Sequence, residues 1–181
     1  MLQGGGALGA DVYLVVSDEG LVVVKDFAPR SLWVRALLGR WSIRREARVL
    51  TQLWDWPPSP RLLGRLGPHA LVIEHRPGTR LTRRRPWTFS RQFMDELRSR
   101  VAELHARGFI HLDLGHRNNI RCDLEGRPVV LDFASCLGPA RRGLLRGVVR
   151  VSLGWVDGRA LRKWERWLFD APTPTSRSAS D

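Results

Sequence analysis

The chain has 181 residues, enough for one domain with a substantial hydrophobic core but short for two such domains. Hydrophobic residues make up 43% of it, as in folded globular proteins, and no apolar run reaches the roughly 20 residues that a membrane-spanning helix needs. Thirty Lys and Arg residues against 18 Asp and Glu give a net charge of +12, which favours an anionic partner.

The first half of the chain predicts two strand pairs separated by a helical region. Four short segments alternate or run apolar as β-strands do: 11–16, 21–25, 62–66 and 70–74. The turn Ser17-Asp18-Glu19-Gly20 joins the first two into a hairpin, and Gly67-Pro68 joins the last two. Between the pairs, Ser31 is a candidate N-cap for a helical pattern that continues to Leu53.

The second half predicts helices around one late hairpin. Its elements are a long amphipathic helix from about Phe89 that stops at Gly108, a hairpin of 119–122 and 128–131, a basic helical stretch from 139 to about 169, and a Pro/Ser/Thr-rich disordered tail over 171–181. Strands first, then helices with a single late hairpin, is an α+β arrangement.

Two short motifs carry the most specific signal in the chain. These are His111-Leu112-Asp113, followed by Asn118, and Asp132-Phe133-Ala134. Here the chain resembles the protein-kinase-like superfamily, because the first motif resembles its catalytic loop and the second its metal-binding Asp-Phe-Gly. The resemblance implies a two-lobed fold that binds ATP and Mg²⁺. His111 is expected to pack beneath the Asp132-Phe133 turn rather than to act as a base.

The resemblance also implies a role for each polar residue of these motifs. Phosphoryl transfer needs mainly positioning and neutralisation of phosphate charge. Asp113 would orient the acceptor hydroxyl and accept its proton, and Asp132 would hold Mg²⁺ against the β- and γ-phosphates. The amide oxygen of Asn118 would hold a second Mg²⁺, with the adjacent Asn119 left open as the alternative ligand.

Lys25 is one of only two lysines in the chain. A lysine ammonium is a compact charge suited to bridging two phosphates, whereas the arginine fork is wider. The run 21–25 resembles the third strand of the family, whose lysine pairs with the α- and β-phosphates. Glu46, on the following helix, is the predicted partner of Lys25, and a surface ion pair with a nearby arginine is the alternative for this glutamate.

Two further segments resemble nucleotide-binding parts of the family. Gly4, Gly6 and Gly9 match the glycine-rich loop over the phosphates, although the following valine comes one position late and a flexible N-terminus would also be glycine-rich. Residues 71–81 resemble the hinge between the lobes, whose backbone would hydrogen-bond adenine. Glu74 is therefore among the predicted nucleotide-binding residues.

The chain departs from the family at several points. Leu112 replaces the arginine that reads a phosphorylated activation segment, so regulation by that route is not expected. Ala134 replaces a glycine, and no Ala-Pro-Glu motif follows. The resemblance covers about residues 4 to 136 and is to compact bacterial members, similar to RIO kinases and to the heptose and Kdo kinases of the lipopolysaccharide core.

We therefore predict one kinase-like domain over 1–170, with an N-terminal lobe of about 1–75 and a truncated helical C-terminal lobe of about 79–170. The expected activity is transfer of the γ-phosphate of ATP to a hydroxyl acceptor. The positive charge favours an anionic sugar or lipid such as the lipopolysaccharide core. A RIO-like serine/threonine protein kinase is the alternative, and a non-catalytic nucleotide-binding or nucleic-acid-binding protein is a further one.

Two basic helical regions are rich in tryptophan, and the sequence does not decide what they contact. The first combines apolar and basic residues: Trp33, Leu37 and Trp41 with Arg35, Arg40, Arg44 and Arg45. This is the composition of an interfacial membrane contact, and packing on the small lobe is the alternative. The second holds Trp155, Trp164 and Trp167, for which core packing is favoured. The chain start shows no secretory signal, so we expect a cytoplasmic protein with a peripheral contact at the inner face of the membrane.

Overall fold

The computed structural model describes residues 4, 6–18, 20–82, 89–139 and 145–170 of the chain. The predicted tail, 171–181, lies outside the described residues. No helix in the described part of the chain is long and apolar enough to cross a membrane.

The N-terminal lobe is built on an antiparallel sheet of four strands. These are β1 (Asp11–Ser17), β2 (Gly20–Asp26), β3 (Leu62–Leu66) and β4 (Ala70–Glu74), in the order β1-β2-β4-β3. Lys25 of β2 lies opposite Val12 on one side and Leu71 on the other. Because β2 is an inner strand, the backbone at Lys25 is held by a neighbouring strand on each side.

A helix packs on this sheet. A π-helical segment, Val34–Gly39, leads into α1, Arg40–Gln52. The buried positions of α1 recur at helical spacing: Ile43, Glu46, Ala47, Val49 and Leu50. All but one of them are apolar, and the exception is the carboxylate of Glu46.

The rest of the described chain is mainly helical. It contains α2 (Arg91–Ala106), α3 (Leu145–Phe169) and a small antiparallel sheet of β5 (Thr79–Arg80), β6 (Ile120–Cys122) and β7 (Pro128–Val130). Ser90 caps α2 by accepting the backbone N–H of Phe93 at 3.0 Å. The late hairpin is β6-β7, as predicted.

Within the described residues, one hydrophobic core runs from the N-terminal sheet to α3. It includes Leu71 of β4, Leu97 and Leu104 of α2, and Trp164 of α3. The predicted core packing is wrong for Trp155, which is 57% exposed, and Trp167 is only partly buried. It is confirmed for Trp164, whose indole N–H donates to the backbone oxygen of Leu114 at 2.8 Å. Through this contact α3 supports the loop that carries Asp113.

Candidate active site

Lys25 bridges two carboxylates in the cleft next to the N-terminal sheet. Its Nζ lies 2.7 Å from Glu46 Oε1 and 2.9 Å from Asp132 Oδ1. Glu46 is only 1% exposed and also accepts the backbone N–H of Phe133 at 3.3 Å. One buried carboxylate thus ties β2, α1 and the turn that carries Asp132 into one unit.

Lys25 is the shared cation of the two carboxylates in this unit. Burial lowers the pKa of Lys25, but the charges of Glu46 and Asp132 outweigh that effect and hold the pKa above its ordinary value. The charge of Lys25 holds the pKa of Asp132 below its usual range, while burial raises the pKa of Glu46. Lys25 is therefore a permanent cation next to an ionised Asp132, whose side chain is about half exposed to the cleft.

Asp132 stands at a sharp turn before a short 3₁₀ helix, Phe133–Ser135. Its φ of 63° is left-handed, a conformation that aspartate tolerates better than most residues. Phe133 is fully buried, with its ring centroid 5.0 Å from that of His111 and 6.3 Å from that of Trp56. Packing of the Phe133 ring against His111 and Trp56 thus stabilises the turn.

His111 is a structural residue of this turn. Its Nε2 lies 3.0 Å from the backbone oxygen of Leu131, and its Nδ1 accepts the backbone N–H of Asp113 at 3.3 Å. Burial lowers the pKa of His111, so the ring is neutral and Nε2–H is the donor. The predicted packing of His111 beneath the Asp132-Phe133 turn is confirmed.

Asp113 is positioned by Asn119. The amide nitrogen of Asn119 donates to Asp113 Oδ2 at 2.7 Å and to the backbone oxygen of Asp113 at 2.9 Å. Asn119 is 2% exposed, and both of these side-chain hydrogen bonds are donated by its amide nitrogen. Asn118 and Asn119 line the same cleft as Lys25 and Asp132. The structure therefore brings Asp113, both asparagines and Asp132 together.

Sequence reasoning missed Asp157 of α3. Its carboxylate is fully buried, accepts the backbone N–H groups of His111 at 2.8 Å and Leu112 at 2.9 Å, and lies 2.9 Å from His105 Nε2. Leu112 has a left-handed φ of 67°, so Asp157 holds a strained turn immediately before Asp113. A signal was present in the sequence, because α3 contains only one other acidic residue, Glu165.

The glycine-rich start lies over Lys25. A cleft of about 410 Å³ is lined by Gly4 and Gly9 together with Lys25, Glu46 and Asp132. Gly6 has a left-handed φ of 60° and belongs to the turn between the other two glycines. The predicted loop residues are therefore placed beside the predicted phosphate-binding lysine.

The predicted hinge, 71–81, overlaps β4, and part of it lines a second pocket that also contains Lys25 and Asp132. The side chain of Glu74 is engaged by arginines, with Oε2 3.6 Å from Arg61 Nε and Oε1 3.8 Å from Arg76 Nη1. The backbone N–H of Glu74 also donates to the backbone oxygen of Arg61 at 2.9 Å, so neither the side chain nor the N–H of Glu74 is open to a nucleotide. Arg121, which the sequence analysis did not single out, donates to the backbone oxygen of Arg76 at 3.1 Å and lines the cleft.

Comparison with known proteins identifies the fold. No protein-family model and no curated protein matches the sequence. Among solved structures, the chain is similar to the RIO2 kinase from Chaetomium thermophilum, with a TM-score of 0.66 and 18% identity over 95% of this chain and 58% of that chain. It is also similar to the ADP/Mg²⁺-phosphoaspartate complex of the same kinase, with a TM-score of 0.66 and 16% identity over 97% of this chain and 58% of that chain.

The similarity covers only part of the solved chains and concerns the fold. The chain spans 58% of the length of each of these solved RIO2 chains. At such low identity the likeness shows the fold alone, and it confirms the predicted α+β, protein-kinase-like architecture with an antiparallel N-terminal sheet.

Proposed function

We propose that the protein is an ATP- and Mg²⁺-dependent phosphotransferase that transfers the γ-phosphate to a hydroxyl acceptor. The observation that carries the proposal is the three-residue unit of Lys25, Glu46 and Asp132, placed beside a positioned Asp113. A fixed cation, an ionised carboxylate at a cleft and a second carboxylate for the acceptor are the parts that phosphoryl transfer requires. A structural ion pair alone would not need Asp132 to be half exposed.

The oxygen ligands present fit Mg²⁺. This ion is usually held by one or two protein carboxylates together with substrate phosphates rather than by an all-protein cage. Within the described residues, no group of three or more His, Cys, Asp or Glu side chains could hold a metal ion. Asp132 and one asparagine amide oxygen would hold the ion that accompanies the nucleotide, and its charge would neutralise the phosphates during transfer.

Asn119 is our choice over Asn118 for the amide ligand. The support is the pair of hydrogen bonds from its nitrogen to Asp113, which orients its amide group. The same contact occupies Asp113 Oδ2, so Asp113 Oδ1 is the atom that would accept the hydroxyl proton. Lys25 would pair with the α- and β-phosphates, with Gly4, Gly6 and Gly9 covering them and the backbone of the hinge binding adenine.

The acceptor that we favour is an anionic sugar or lipid, such as the lipopolysaccharide core. The support is the charge of +12, which draws anionic substrates toward the cleft. A RIO-like serine/threonine protein kinase is equally consistent with the fold similarity. A nucleic-acid partner is less favoured. A single domain over 1–170 and a cytoplasmic location remain part of this proposal.

Incubation with ATP labelled at the γ-phosphate tests the activity and the acceptor together. The protein is mixed with labelled ATP and Mg²⁺ and with lipopolysaccharide, a generic protein or no acceptor, and a parallel series contains EDTA. We expect EDTA-sensitive transfer to lipopolysaccharide above that to protein. Transfer to protein alone would replace the favoured acceptor by the RIO-like alternative. No transfer together with ATP binding would favour a non-catalytic nucleotide-binding protein.

A further inference from the structure

The segment leading into α1 presents large apolar side chains to solvent. Their exposed fractions are 69% for Leu32, 79% for Trp33, 65% for Leu37, 46% for Leu38 and 56% for Trp41. We call these five residues the Trp33–Trp41 face. The sequence left open whether they pack on the small lobe, and their exposure in the described structure argues against such packing. So many exposed large apolar side chains within ten residues mark an interaction surface.

A basic groove adjoins the Trp33–Trp41 face. It has a volume of about 730 Å³ and lies between α1 and the chain around Leu137. Arg40, Arg44 and Arg48 line it, and because they are four positions apart they lie on one side of α1. None of the described residues that line the groove is acidic. The sequence contains no Asp or Glu from 27 to 45.

Arg45 connects this surface to the candidate active site. Its guanidinium lies 4.7 Å from the ring centroid of Trp41 and donates to the backbone oxygens of Ser135 at 2.8 Å and Cys136 at 2.9 Å. Both carbonyls follow closely after Asp132. Trp41 also lines the 410 Å³ cleft that contains Lys25. The surface and the cleft therefore share one wall.

We propose that the Trp33–Trp41 face and the adjoining groove dock on the surface of an anionic lipid bilayer. The apolar side chains would enter the interface between headgroups and acyl chains, where tryptophan is favoured, and the groove arginines would bind lipid phosphates. Charge complementarity selects this occupant, because the surface offers several cations and no acid to pair with a mixed-charge protein partner.

Docking in this way would place the cleft at the bilayer. Trp41 and Glu46 lie on the same rigid helix, α1, so an immersed Trp41 sets the position of Lys25 relative to the membrane. An acceptor carried by a lipid would then be held near the cleft. This consequence rests on the proposed function, whereas the docking itself does not and is measured without any transfer.

Vesicle flotation with the full chain tests the docking. Neutral phosphatidylcholine vesicles are compared with vesicles that contain about a third of phosphatidylglycerol, at low, physiological and high salt. We expect binding to the anionic vesicles only, weakening as salt screens the charges. The double variant Arg40→Gln/Arg44→Gln should bind about 30-fold more weakly, since each basic residue near an anionic surface contributes about a fivefold change in affinity.

Matched controls locate the contact. Arg162 and Arg166 are exposed and also four positions apart, on α3, so Arg162→Gln/Arg166→Gln removes the same charge elsewhere. Trp33→Ser should weaken binding at least fivefold, and Trp54→Ser, at a tryptophan that is 76% exposed outside the face, should not. Equal losses in the α1 and α3 variants would overturn the proposal, because binding would then reflect net charge alone.

A measurement on the unmodified protein removes any dependence on folding of the variants. Hydrogen exchange should slow over residues 32–48 when anionic vesicles are added, and not when neutral ones are. Protection confined to other segments would overturn the proposal. So would a concentration-dependent dimer that Trp33→Ser abolishes in the absence of lipid, because the face would then bind a second copy of the chain.

Discussion

Lys25 has two carboxylate partners, and this explains a lysine in a chain that otherwise relies on arginine. Nζ lies within 2.9 Å of oxygens from both Glu46 and Asp132, a spacing that suits a single ammonium. A guanidinium would reach the same oxygens only by moving α1 or the Asp132 turn, because Glu46 is buried and cannot shift freely.

Lys25→Arg should therefore reduce transfer although the charge is kept. We expect a loss of tenfold or more in kcat/KM, equal to at least about 1.4 kcal/mol of transition-state stabilisation. Steady-state kinetics with ATP measure it. Wild-type kinetics of Lys25→Arg would show that Lys25 is only a strand residue.

A second prediction at the residue scale concerns which of the two adjacent asparagines binds Mg²⁺. Asn119→Ala should raise the Mg²⁺ concentration for half-maximal transfer about tenfold or more and lower the rate, because it removes both the amide oxygen and the support of Asp113. Asn118→Ala should have a smaller effect. A Mg²⁺ titration of each variant decides between them, and the reverse order would assign the metal to Asn118.

These residues also show what the sequence can predict at this scale. The motifs around Asp113 and Asp132 were recognisable because their chemistry is carried by contiguous residues. Counting positions selected Asn118, but the orientation of each asparagine depends on the turns between Asp113 and Asn119, in which His116 N–H donates to Asp113 and Asn119 N–H donates to His116. Such local hydrogen bonds are not encoded in residue spacing.

At the scale of elements, α3 supports the loop that carries Asp113. Asp157 accepts two backbone N–H groups from the loop, and the indole of Trp164 donates to Leu114. These contacts hold the strained Leu112 and, next to it, Asp113. Through these contacts α3 positions the loop.

Asp157→Asn should weaken both stability and transfer. The amide offers one acceptor oxygen to two buried N–H donors, and an unsatisfied buried donor costs about 1–3 kcal/mol. Urea unfolding should show a loss of that size, and kcat should fall at least tenfold. Glu165→Gln changes the other acid of the same helix, which pairs with Arg98 at the surface, and should leave both nearly unchanged. Equal behaviour of the two variants would remove the anchoring role.

The sequence predicted some secondary-structure elements correctly and missed others. The four strands of the N-terminal sheet were correct because a half-buried antiparallel sheet imposes alternation. Strand β5 has only two residues and leaves no periodic signal. The π-helical segment Val34–Gly39 was also missed, since its wider hydrogen-bond spacing gives an apolar pattern close to that of an α-helix. The link from Asp157 to the loop is tertiary and has no local pattern.

At the scale of the whole molecule, two lobes form one cleft whose polar groups come from distant parts of the chain. The order of the motifs was enough to predict this architecture, and the fold similarity to RIO2 kinase confirms it. Exposure could not be predicted in the same way. The residues of the Trp33–Trp41 face have a helical apolar pattern that fits a buried or an exposed helix equally, and only the packed structure distinguishes the two.

Comparison of Asp113→Asn with the wild type in two assays tests the central claim most directly. Binding of Mg²⁺ and ATP is measured by titration calorimetry, and transfer of labelled γ-phosphate is measured with the same samples. We predict that ATP affinity stays within about twofold, whereas transfer falls by about 10²-fold or more, because Asp113 acts on the acceptor hydroxyl and not on the nucleotide. Asp132→Ala should lose transfer together with Mg²⁺-dependent binding. Transfer by Asp113→Asn at the wild-type rate would contradict the account.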